Sequence, residues 1–195
     1  MFLPNRLSIS QLLLAGLMVF APSLHAQVAG AAARKPEWAA PVQASANLFS
    51  ITPSLYRSAQ LAPKDVALVK SLGIQTVVSL RNFHDDQALL RGSGVKIKRI
   101  GINTWSVGDK QVIAALKAIK EAEKDGPVLL HCLHGADRTG LVSAMYRMLY
   151  QGWSKDEALQ ELTQGGYGYH SMWKNIPTYI NKVDIEKIRQ AVERI

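Results

Sequence analysis

The segment His131-Cys132-Leu133-His134-Gly135-Ala136-Asp137-Arg138-Thr139-Gly140 is the most informative part of this sequence. The apolar run from Pro127 to Leu130 precedes it and is typical of a short buried strand. After it, apolar residues recur at the three- and four-residue spacing of an amphipathic helix: Leu141, Ala144, Met145, Met148 and Leu149. The pattern predicts a strand, a tight loop and a helix, with Cys132 ending the strand and Arg138 beginning the helix.

A loop of this composition can bind a tetrahedral dianion. Where a buried strand leads into a helix, several backbone N–H groups converge and the helix dipole adds a partial positive charge. Gly135 lets the backbone curl without a Cβ atom, and Arg138 can offer paired N–H donors to two phosphate oxygens. The same positive field favours the nucleophilic thiolate of Cys132. The loop therefore predicts phosphoryl transfer to sulfur and then to water.

The run from Cys132 to Gly140, Cys-x5-Arg-Thr-Gly after a histidine, resembles the signature loop of the cysteine-based protein tyrosine and dual-specificity phosphatases. Leu55-Tyr56-Arg57-Ser58-Ala59-Gln60 is similar to an early strand of the dual-specificity enzymes. The order of elements from Asn47 to Gln151, with the region of Tyr167, resembles the periplasmic tyrosine phosphatases of Gram-negative bacteria, the TpbA type. The resemblance covers nearly all of the chain that follows the predicted signal peptide.

The resemblance implies roles for the loop residues in a hydrolysis that needs no metal and no cofactor. Cys132 would be the nucleophile and Arg138 the phosphate clamp. The Thr139 hydroxyl would stabilise the thiolate that leaves in the second step, and His131 would help to hold the loop. The residues expected to bind phosphate are Leu133, His134, Gly135, Ala136, Asp137 and Arg138.

The sequence departs from the family pattern at the general acid, which protonates the leaving oxygen. In the family this is usually an Asp in the loop before the helix that precedes the catalytic strand. Alignment backward from His131, with Gly126-Pro127 in register, places Trp105 there. An indole N–H is far too weak an acid for this step. Either another group donates the proton or the step is slow, because general-acid help is worth about a hundred- to ten-thousandfold.

Four carboxylates are candidates for the missing acid. Asp109 precedes an apolar helix, and capping of that helix is the favoured interpretation. Asp85 and Asp86 follow a predicted central strand, where capping is again the simpler interpretation. Asp137 lies inside the loop directly before Arg138, as in phosphatases whose loop Asp has been considered the acid. Our hypothesis is that Asp137 donates the proton, although it could instead only shape the loop.

The length of 195 residues predicts one domain behind an export signal. Residues 1–26 contain the apolar run Leu12 to Phe20 and a small-residue cleavage site, which indicates a secretory signal peptide. A retained anchor is the alternative. Residues 27–46, rich in Ala and Pro, are predicted to be a flexible leader, and residues 47–195 the phosphatase domain. We expect a periplasmic protein.

The net charge and the cysteine content of the sequence limit the classes of binding partner and the compartment that we expect. Removal of residues 1–26 would remove one base and no acid, leaving 22 bases against 15 acids and a net charge of +7. This favours anionic substrates, a phosphorylated protein first and a phosphoinositide second. No basic run with interleaved aromatics indicates nucleic acid, and no stretch after the signal could insert stably in a membrane. A single cysteine, Cys132, cannot form an internal disulfide, and in an oxidising compartment its retention favours use in catalysis.

Strand and helix patterns alternate along the chain, which predicts an α/β fold with a mostly parallel central sheet of about four to five strands flanked by helices. Ligands of such sheets bind outside the carboxyl ends of the strands, where Cys132 falls. The predicted elements are a hairpin at residues 48–57, a helix from Pro63 to Gly73, a strand at 74–80, a short helix ending at Gly92, a strand at 95–100, and helices beginning at Asp109, Arg138, Ser154 and Asp184.

The sequence predicts hydrolysis of phosphate monoesters, phosphotyrosine first and phosphoserine or phosphothreonine second, through a phosphocysteine. The alternatives are a phosphoinositide phosphatase, a phosphate-binding module with little turnover, a sulfurtransferase with a similar loop, a redox-sensing thiol, and an inert buried cysteine. Tyr167, Tyr169 and Trp173 could form a stacking wall for an aromatic substrate, but packing of the last helices is the favoured interpretation. Trp105 could stack at the mouth of the site.

Overall fold

The computed structural model of this chain describes residues 34–194. The predicted signal peptide lies outside these residues. The described residues form one central sheet whose strands lie in the order β1-β2-β3-β6-β4-β5. The strands are β1 (Ala40–Gln43), β2 (Leu48–Thr52), β3 (Leu55–Ser58), β4 (Thr76–Ser79), β5 (Lys96–Arg99) and β6 (Val128–His131).

Three of the strand pairings are parallel, β3 with β6, β6 with β4 and β4 with β5. The antiparallel pairings join β1 to β2 and β2 to β3. In register, the last residues of β3, β6 and β4 lie side by side: Ser58, His131 and Ser79. Cys132 therefore leaves the sheet at the shared carboxyl edge. The predicted α/β class is confirmed, with six strands in place of four to five.

Helices cover both faces of the sheet. They are α1 (Val66–Ser71), α2 (Gln87–Leu90), α3 (Asp109–Ala122), α4 (Asp137–Tyr150), α5 (Lys155–Gln164), α6 (Asn175–Lys182) and α7 (Ile185–Glu193). Neighbouring residues of β6 point to opposite faces, so that Leu130 joins the large core under α3 to α7 while Leu129 joins the smaller core under α1 and α2. Burial on both faces explains why the inner strands are continuous apolar runs.

Helix α4 lies at the centre of the large core. It contacts α3, α5, α6 and α7, and twelve of its fourteen residues are buried. Because α4 is buried on nearly all sides, it has little polar face, and packing against its neighbours fixes its position. The residue at its first turn, Arg138, is therefore held in a fixed position relative to the sheet.

The prediction of a flexible leader is wrong for residues 40–46. Residues 40–43 form β1, an edge strand paired with β2, and the preceding Trp38 and Ala39 are buried. The Ala39 N–H donates to Glu161 Oε1 on α5 at 2.7 Å. Pro41 is compatible with this position because an edge strand leaves one row of N–H groups unpaired. Composition suggested a leader because Ala and Pro carry little strand propensity of their own.

Several local predictions are confirmed and one helix was missed. The hairpin of β2 and β3 forms, and Ser154 with Glu157 makes the expected capping box at the start of α5. Helix α6 was not predicted because Pro177 interrupts its pattern. Pro177 lies in the first turn, where its missing N–H breaks no intrahelical bond. Among residues 34–194, no helix is long and apolar enough to span a membrane.

Candidate active site

The loop at residues 132–136 connects the end of β6 to the start of α4. The first hydrogen bond of the helix runs from the Gly140 N–H to the Ala136 carbonyl at 2.8 Å, and no side chain caps the helix N-terminus. Within the described part of the chain, no backbone N–H from Leu133 to Arg138 donates to a protein acceptor. These donors and the helix dipole are thus available to an anion.

Gly135 allows the loop to press against the end of β3. Its φ is +72°, and a Cβ atom there would lie 2.5 Å from both the carbonyl carbon and the oxygen of Ser58. The Gln60 N–H also donates to the Leu133 carbonyl at 3.1 Å. Position 135 therefore requires glycine for its backbone conformation and for the close approach.

A buried arginine on β3 holds the same part of the loop. Arg57 donates from Nη2 to the Gly135 carbonyl at 2.7 Å, and its guanidinium lies 3.6 Å from the centroid of the Tyr167 ring. Burial lowers the pKa of Arg57, while Tyr167 and Glu161 oppose that shift. Sequence reasoning used Arg57 only as part of a strand motif. The signal available in the sequence was a charged residue inside a predicted strand of the sheet.

His131 links the loop to a buried carboxylate, that of Asp86. Its Nε2 donates to Asp86 Oδ2 at 3.0 Å, and its Nδ1 donates to the Cys132 carbonyl at 3.0 Å. Burial alone would raise the pKa of Asp86, but the hydrogen bond and charge of His131, with His84, hold that pKa below its usual range. We call Arg57, Asp86 and His131 the buried support of the loop.

Asp86 occupies the cap position of α2 but its side chain makes no capping hydrogen bond, and Asp85 supplies the predicted side-chain acceptor instead. Asp85 Oδ1 accepts from the Gln87 N–H at 2.9 Å at the start of α2. Asp86 instead turns inward to His131 and to His84, whose Nε2 lies 3.2 Å from Asp86 Oδ1. The two adjacent carboxylates therefore have different environments, one at the surface and one buried.

Cys132 and Arg138 flank the loop as the spacing predicted. The Cys132 side chain is 1% exposed and free of any disulfide. Arg138 Nη1 lies 3.3 Å from the Leu80 carbonyl and 3.5 Å from the Ile102 carbonyl, at the ends of β4 and β5. In the described residues, Arg138 Nε and Thr139 Oγ1 are buried without a hydrogen-bond partner. A buried donor without a protein partner is costly, and a bound anion would satisfy it.

A hollow opens beside Arg138 at the surface. Two of its lining residues are exposed aromatics, Phe83 at 97% and Trp105 at 68%. We call Phe83 and Trp105 the aromatic rim. Trp105 lies at the opening of this hollow, but its indole N–H is too weak an acid to protonate a leaving oxygen. The other lining residues are Arg81, Asn82, Ile102, Asn103 and Thr104.

Asp137 is paired with a histidine that sequence reasoning missed. Its side chain is buried, Oδ1 accepts from the His170 backbone N–H at 2.9 Å, and Oδ2 lies 2.9 Å from His170 Nδ1. The His170 ring lies 5.1 Å from that of His134 in the loop. Ligand atoms of His134, Asp137 and His170 lie within 4.8 Å of one another, so this cluster could hold a divalent cation. His170 follows Asp137 by 33 residues, and no local pattern marks it.

The cap assigned to Asp109 is wrong. Gly108, in an extended conformation, occupies the cap position of α3, and Asp109 is the first helical residue. The Asp109 carboxylate accepts from the Tyr179 hydroxyl at 3.0 Å and from Lys187 Nζ at 3.0 Å. These partners belong to α6 and α7, so Asp109 fastens the C-terminal helices to α3.

The packing role favoured for the tyrosines after α5 is confirmed. Tyr167 is buried with its ring edge-on to Phe49, at a centroid distance of 4.7 Å. Tyr169 and Trp173 pack against the large core, and the Tyr169 hydroxyl donates to the Trp173 carbonyl at 2.7 Å. These rings hold the segment that carries His170.

Comparison with known proteins agrees with this site. Dual specificity protein phosphatase TpbA of Pseudomonas aeruginosa is 40% identical over 177 residues, which are 91% of this chain and 80% of TpbA. A crystal structure of P. aeruginosa TpbA, a cysteine-to-serine variant in complex with pTyr, superposes with a TM-score of 0.78 at 38% identity. That superposition covers 83% of this chain and 99% of the other.

A more distant relative carries a different name. Inositol diphosphatase DSP3 of Arabidopsis thaliana is 23% identical over 154 residues, 75% of this chain and 74% of DSP3. The sequence model described as "Tyrosine phosphatase family" matches residues 44–191, which include β2 to β6, the loop and α4. The buried thiol at the carboxyl edge of the sheet, the arginine at the helix start and this match over most of the chain agree: the protein belongs to the tyrosine phosphatase family.

Proposed function

We propose that this protein hydrolyses phosphotyrosine in phosphorylated proteins, with phosphoserine and phosphothreonine as further substrates, through a phosphocysteine at Cys132. The observation that carries the proposal is the loop itself. Its backbone N–H groups from Leu133 to Arg138 have no protein acceptor among the described residues, and they surround the first turn of α4 directly after the thiol. The relative crystallised with pTyr supports the choice of phosphotyrosine.

In the first step the Cys132 thiolate attacks phosphorus while the loop N–H groups and Arg138 bind the non-bridging oxygens. Arg138 Nη1 lies near the carbonyls of Leu80 and Ile102, which orients the guanidinium and leaves Nε for the phosphate. Donors fixed in advance stabilise the charge that develops in the transition state without further reorganisation. The S–P bond forms as the bond to the tyrosine oxygen breaks.

In the second step water attacks phosphorus and the thiolate leaves. Thr139 is the next residue along α4, and its buried Oγ1 has no partner among the described residues. A hydroxyl in that position can donate to the departing sulfur. The buried support keeps the loop in one conformation through both steps, since Arg57 and His131 contact two carbonyls of the loop, those of Gly135 and Cys132.

Single phosphate monoesters suit the loop better than polyphosphates. Besides Arg138, the loop side chains are Leu133, His134, Ala136 and Asp137, so no lysine or second arginine supplies charge for another phosphate. The aromatic rim offers ring faces to an aryl substrate. A phosphoinositide or inositol phosphate is the second candidate substrate, supported by the relative named inositol diphosphatase.

We further propose that the protein acts in the periplasm. The apolar run within residues 1–26 and the single cysteine support export to an oxidising compartment. Fractionation of cells that express the whole chain, with N-terminal sequencing of the product, tests this. A product that retains residue 1 and sediments with membranes would contradict it.

Phosphate release from p-nitrophenyl phosphate, phosphopeptides and phosphoinositides by the wild type and the Cys132→Ser variant tests the activity. We expect the variant to lose at least about a thousandfold in kcat, because hydroxyl replaces the nucleophilic thiolate. Vanadate should inhibit the wild type. Binding of vanadate without turnover would indicate a phosphate-binding module, and turnover only with inositol phosphates would favour the second substrate class.

A further inference from the structure

We propose that Arg81 forms a second anion site beside the phosphate clamp and binds the carboxylate of an acidic residue that neighbours the phosphotyrosine of the substrate. Arg81 is then a specificity-determining residue, and the enzyme prefers acidic sequences around its target. The inference rests on the proposed function, since the substrate must be a phosphorylated protein, and it adds a preference among such proteins.

The hollow beside Arg138 is lined by two cations and by no acid. Among its lining residues, all of which belong to the described part of the chain, Arg81 and Arg138 are charged and none is a carboxylate. Arg138 binds the phosphate in the proposed mechanism, whereas the half-buried Arg81 remains for another group. The hollow encloses about 140 Å³, close to the cavity of about 150 Å³ that holds one benzene molecule in another protein. A substrate side chain can therefore enter it.

The Arg81 guanidinium is held by a neutral acceptor. Its Nη1 donates to Gln60 Oε1, and Gln60 Nε2 lies 3.3 Å from His84 Nδ1, which fixes the direction of the Gln60 amide. No carboxylate of residues 34–194 forms an ion pair with Arg81. The positive charge of Arg81 is therefore oriented at the hollow without being neutralised by the protein.

The unused edge of Arg81 is the one with which another arginine of this protein binds a carboxylate. With Nη1 bound to Gln60, the Nε and Nη2 groups of Arg81 have no protein acceptor in the part of the chain that the structure describes. Arg147 presents the same two nitrogens to Glu161, at 2.8 Å from Nε to Oε2 and 2.8 Å from Nη2 to Oε1. Such a pair of N–H groups binds both oxygens of a carboxylate at once.

The sheet register fixes the position of Arg81 relative to the loop. The aligned last residues of β3, β6 and β4 are each followed, two positions later, by Gln60, Leu133 and Arg81. The bond from Arg81 to Gln60 therefore joins the two strands that flank β6, at the level of Leu133 in the loop. Leu80 directly precedes Arg81, and its carbonyl lies 3.3 Å from Arg138 Nη1. Arg81 is thus anchored next to the phosphate clamp.

One guanidinium suits a carboxylate better than a second phosphate. The phosphate dianion in the loop is met by several backbone N–H groups, by the start of α4 and by Arg138. Around Arg81 the hollow offers only neutral groups, the aromatic rim and the amides of Asn82 and Asn103, which bond to each other. A carboxylate carries one negative charge and two oxygens, which match the single charge and the paired N–H groups of Arg81. The side chain of an aspartate or glutamate is therefore the favoured occupant.

The test measures kcat/KM for phosphotyrosine peptides that differ only in the residues on either side of the phosphotyrosine, aspartate in one peptide and alanine in the other. We expect the wild type to prefer the aspartate peptide about fivefold at low ionic strength, through KM, and to lose this preference as salt is added. Arg81→Gln should reduce the ratio to about one, and Arg81→Lys should retain part of it, because lysine keeps the charge but not the paired donors. Arg99→Gln removes the same charge at the exposed end of β5, outside the hollow, and should keep the wild-type ratio.

The readout is a ratio within one enzyme, so a loss of activity common to both peptides does not change it. Equal values of kcat/KM for the two peptides in the wild type would overturn the inference. An unchanged ratio in Arg81→Gln, with lower activity on both peptides, would show that Arg81 only supports the loop through Gln60. Loss of the ratio in Arg99→Gln as well would assign the preference to the charge of the whole protein.

A second phosphate is the rival occupant of the site. A preference for inositol bisphosphate over inositol monophosphate that Arg81→Gln removes, without any preference between the peptides, would overturn the assignment to a carboxylate. Failure of the proposed function is distinguishable from all of these results, because the wild type would then hydrolyse neither the peptides nor p-nitrophenyl phosphate.

Discussion

The buried support and the aromatic rim both lie near the phosphate-binding loop, but they differ in burial, charge and hydrogen bonding. Arg57, Asp86 and His131 are buried and hydrogen-bonded to the loop or to each other. Phe83 and Trp105 are exposed and line an open hollow. The side chains of the support are close-packed in a single arrangement, whereas the exposed side chains of the rim can be substituted without disturbing the core.

This difference separates two tasks of the site. The support fixes where the N–H donors and the thiol lie, so its loss should lower turnover with every substrate. The rim lines the hollow beside Arg138, where the part of the substrate outside the phosphate would lie, so the effect of its loss should depend on the leaving group. Substitutions in the buried support and substitutions in the rim should therefore change the kinetics in different ways.

Among substitutions that leave Cys132 and Arg138 in place, the largest effect is expected for Gly135→Ala. The new Cβ would lie 2.5 Å from the Ser58 carbonyl, and the backbone there has φ of +72°, so the loop must move. A displacement of about 1 Å in such a site can cost a hundredfold in kcat. Gly152→Ala is the matched control, because φ is +70° there but nothing lies within 4 Å. Steady-state kinetics and thermal melting would show a loss of activity in the first variant alone.

An Arg57→Lys variant should lower kcat by about tenfold for all aryl phosphates. Lysine cannot keep the bond to the Gly135 carbonyl and the contact with the Tyr167 ring together. Arg147→Lys provides the comparison. Arg147 is equally buried and lies over the Trp153 ring at 4.3 Å, but it bonds to Glu161, away from the loop. Both variants should lose about 2 kcal/mol in urea unfolding. A similar fall in kcat for both would show that Arg57 acts through global stability.

An Asp86→Asn variant should lose stability in a pH-dependent way. The folded-state pKa of Asp86 lies below that of the unfolded chain, about 3.9, because His131 outweighs the cost of burial. Its contribution is therefore complete above that value and is lost as pH falls through the folded pKa. We expect a loss of about 2 kcal/mol at pH 7 that shrinks toward pH 3 in urea titrations. A pH-independent difference would show that the carboxylate charge contributes nothing.

The positions of Cys132 and Arg138 at the two ends of the loop could be predicted because their signal is local. Cys132 and Arg138 are close in sequence and are brought together by one loop between a strand and a helix. The other contacts of the site join distant residues. Arg57 and Gly135 are 78 positions apart, Asp86 and His131 are 45 apart, and Asp137 precedes His170 by 33. No periodicity or spacing rule links such pairs.

The fold shows the same division between local and tertiary information. The alternation of strands and helices was sufficient to predict a parallel sheet with the site at its carboxyl edge. Strand β1 and helix α6 were missed because Pro41 and Pro177 weaken their local patterns. Both form through tertiary contacts, the first by pairing with β2 and the second by burying Ile176 and Ile180 in the large core. Tertiary packing overrode propensity at these two places.

The smallest effect is expected for substitutions in the rim. It is also the sharpest test of the difference between the rim and the buried support. Trp105→Ala and Phe83→Ala should each raise KM for phenyl phosphate about three- to tenfold, because one ring contact is worth about 0.5–1.5 kcal/mol. The KM for glycerol phosphate and the melting temperature should not change, since both side chains are exposed. Val42→Ala, a half-exposed apolar residue on β1, is the control. An equal rise for aryl and alkyl substrates would mean that the rim shapes the phosphate pocket itself, and its separation from the buried support would fail.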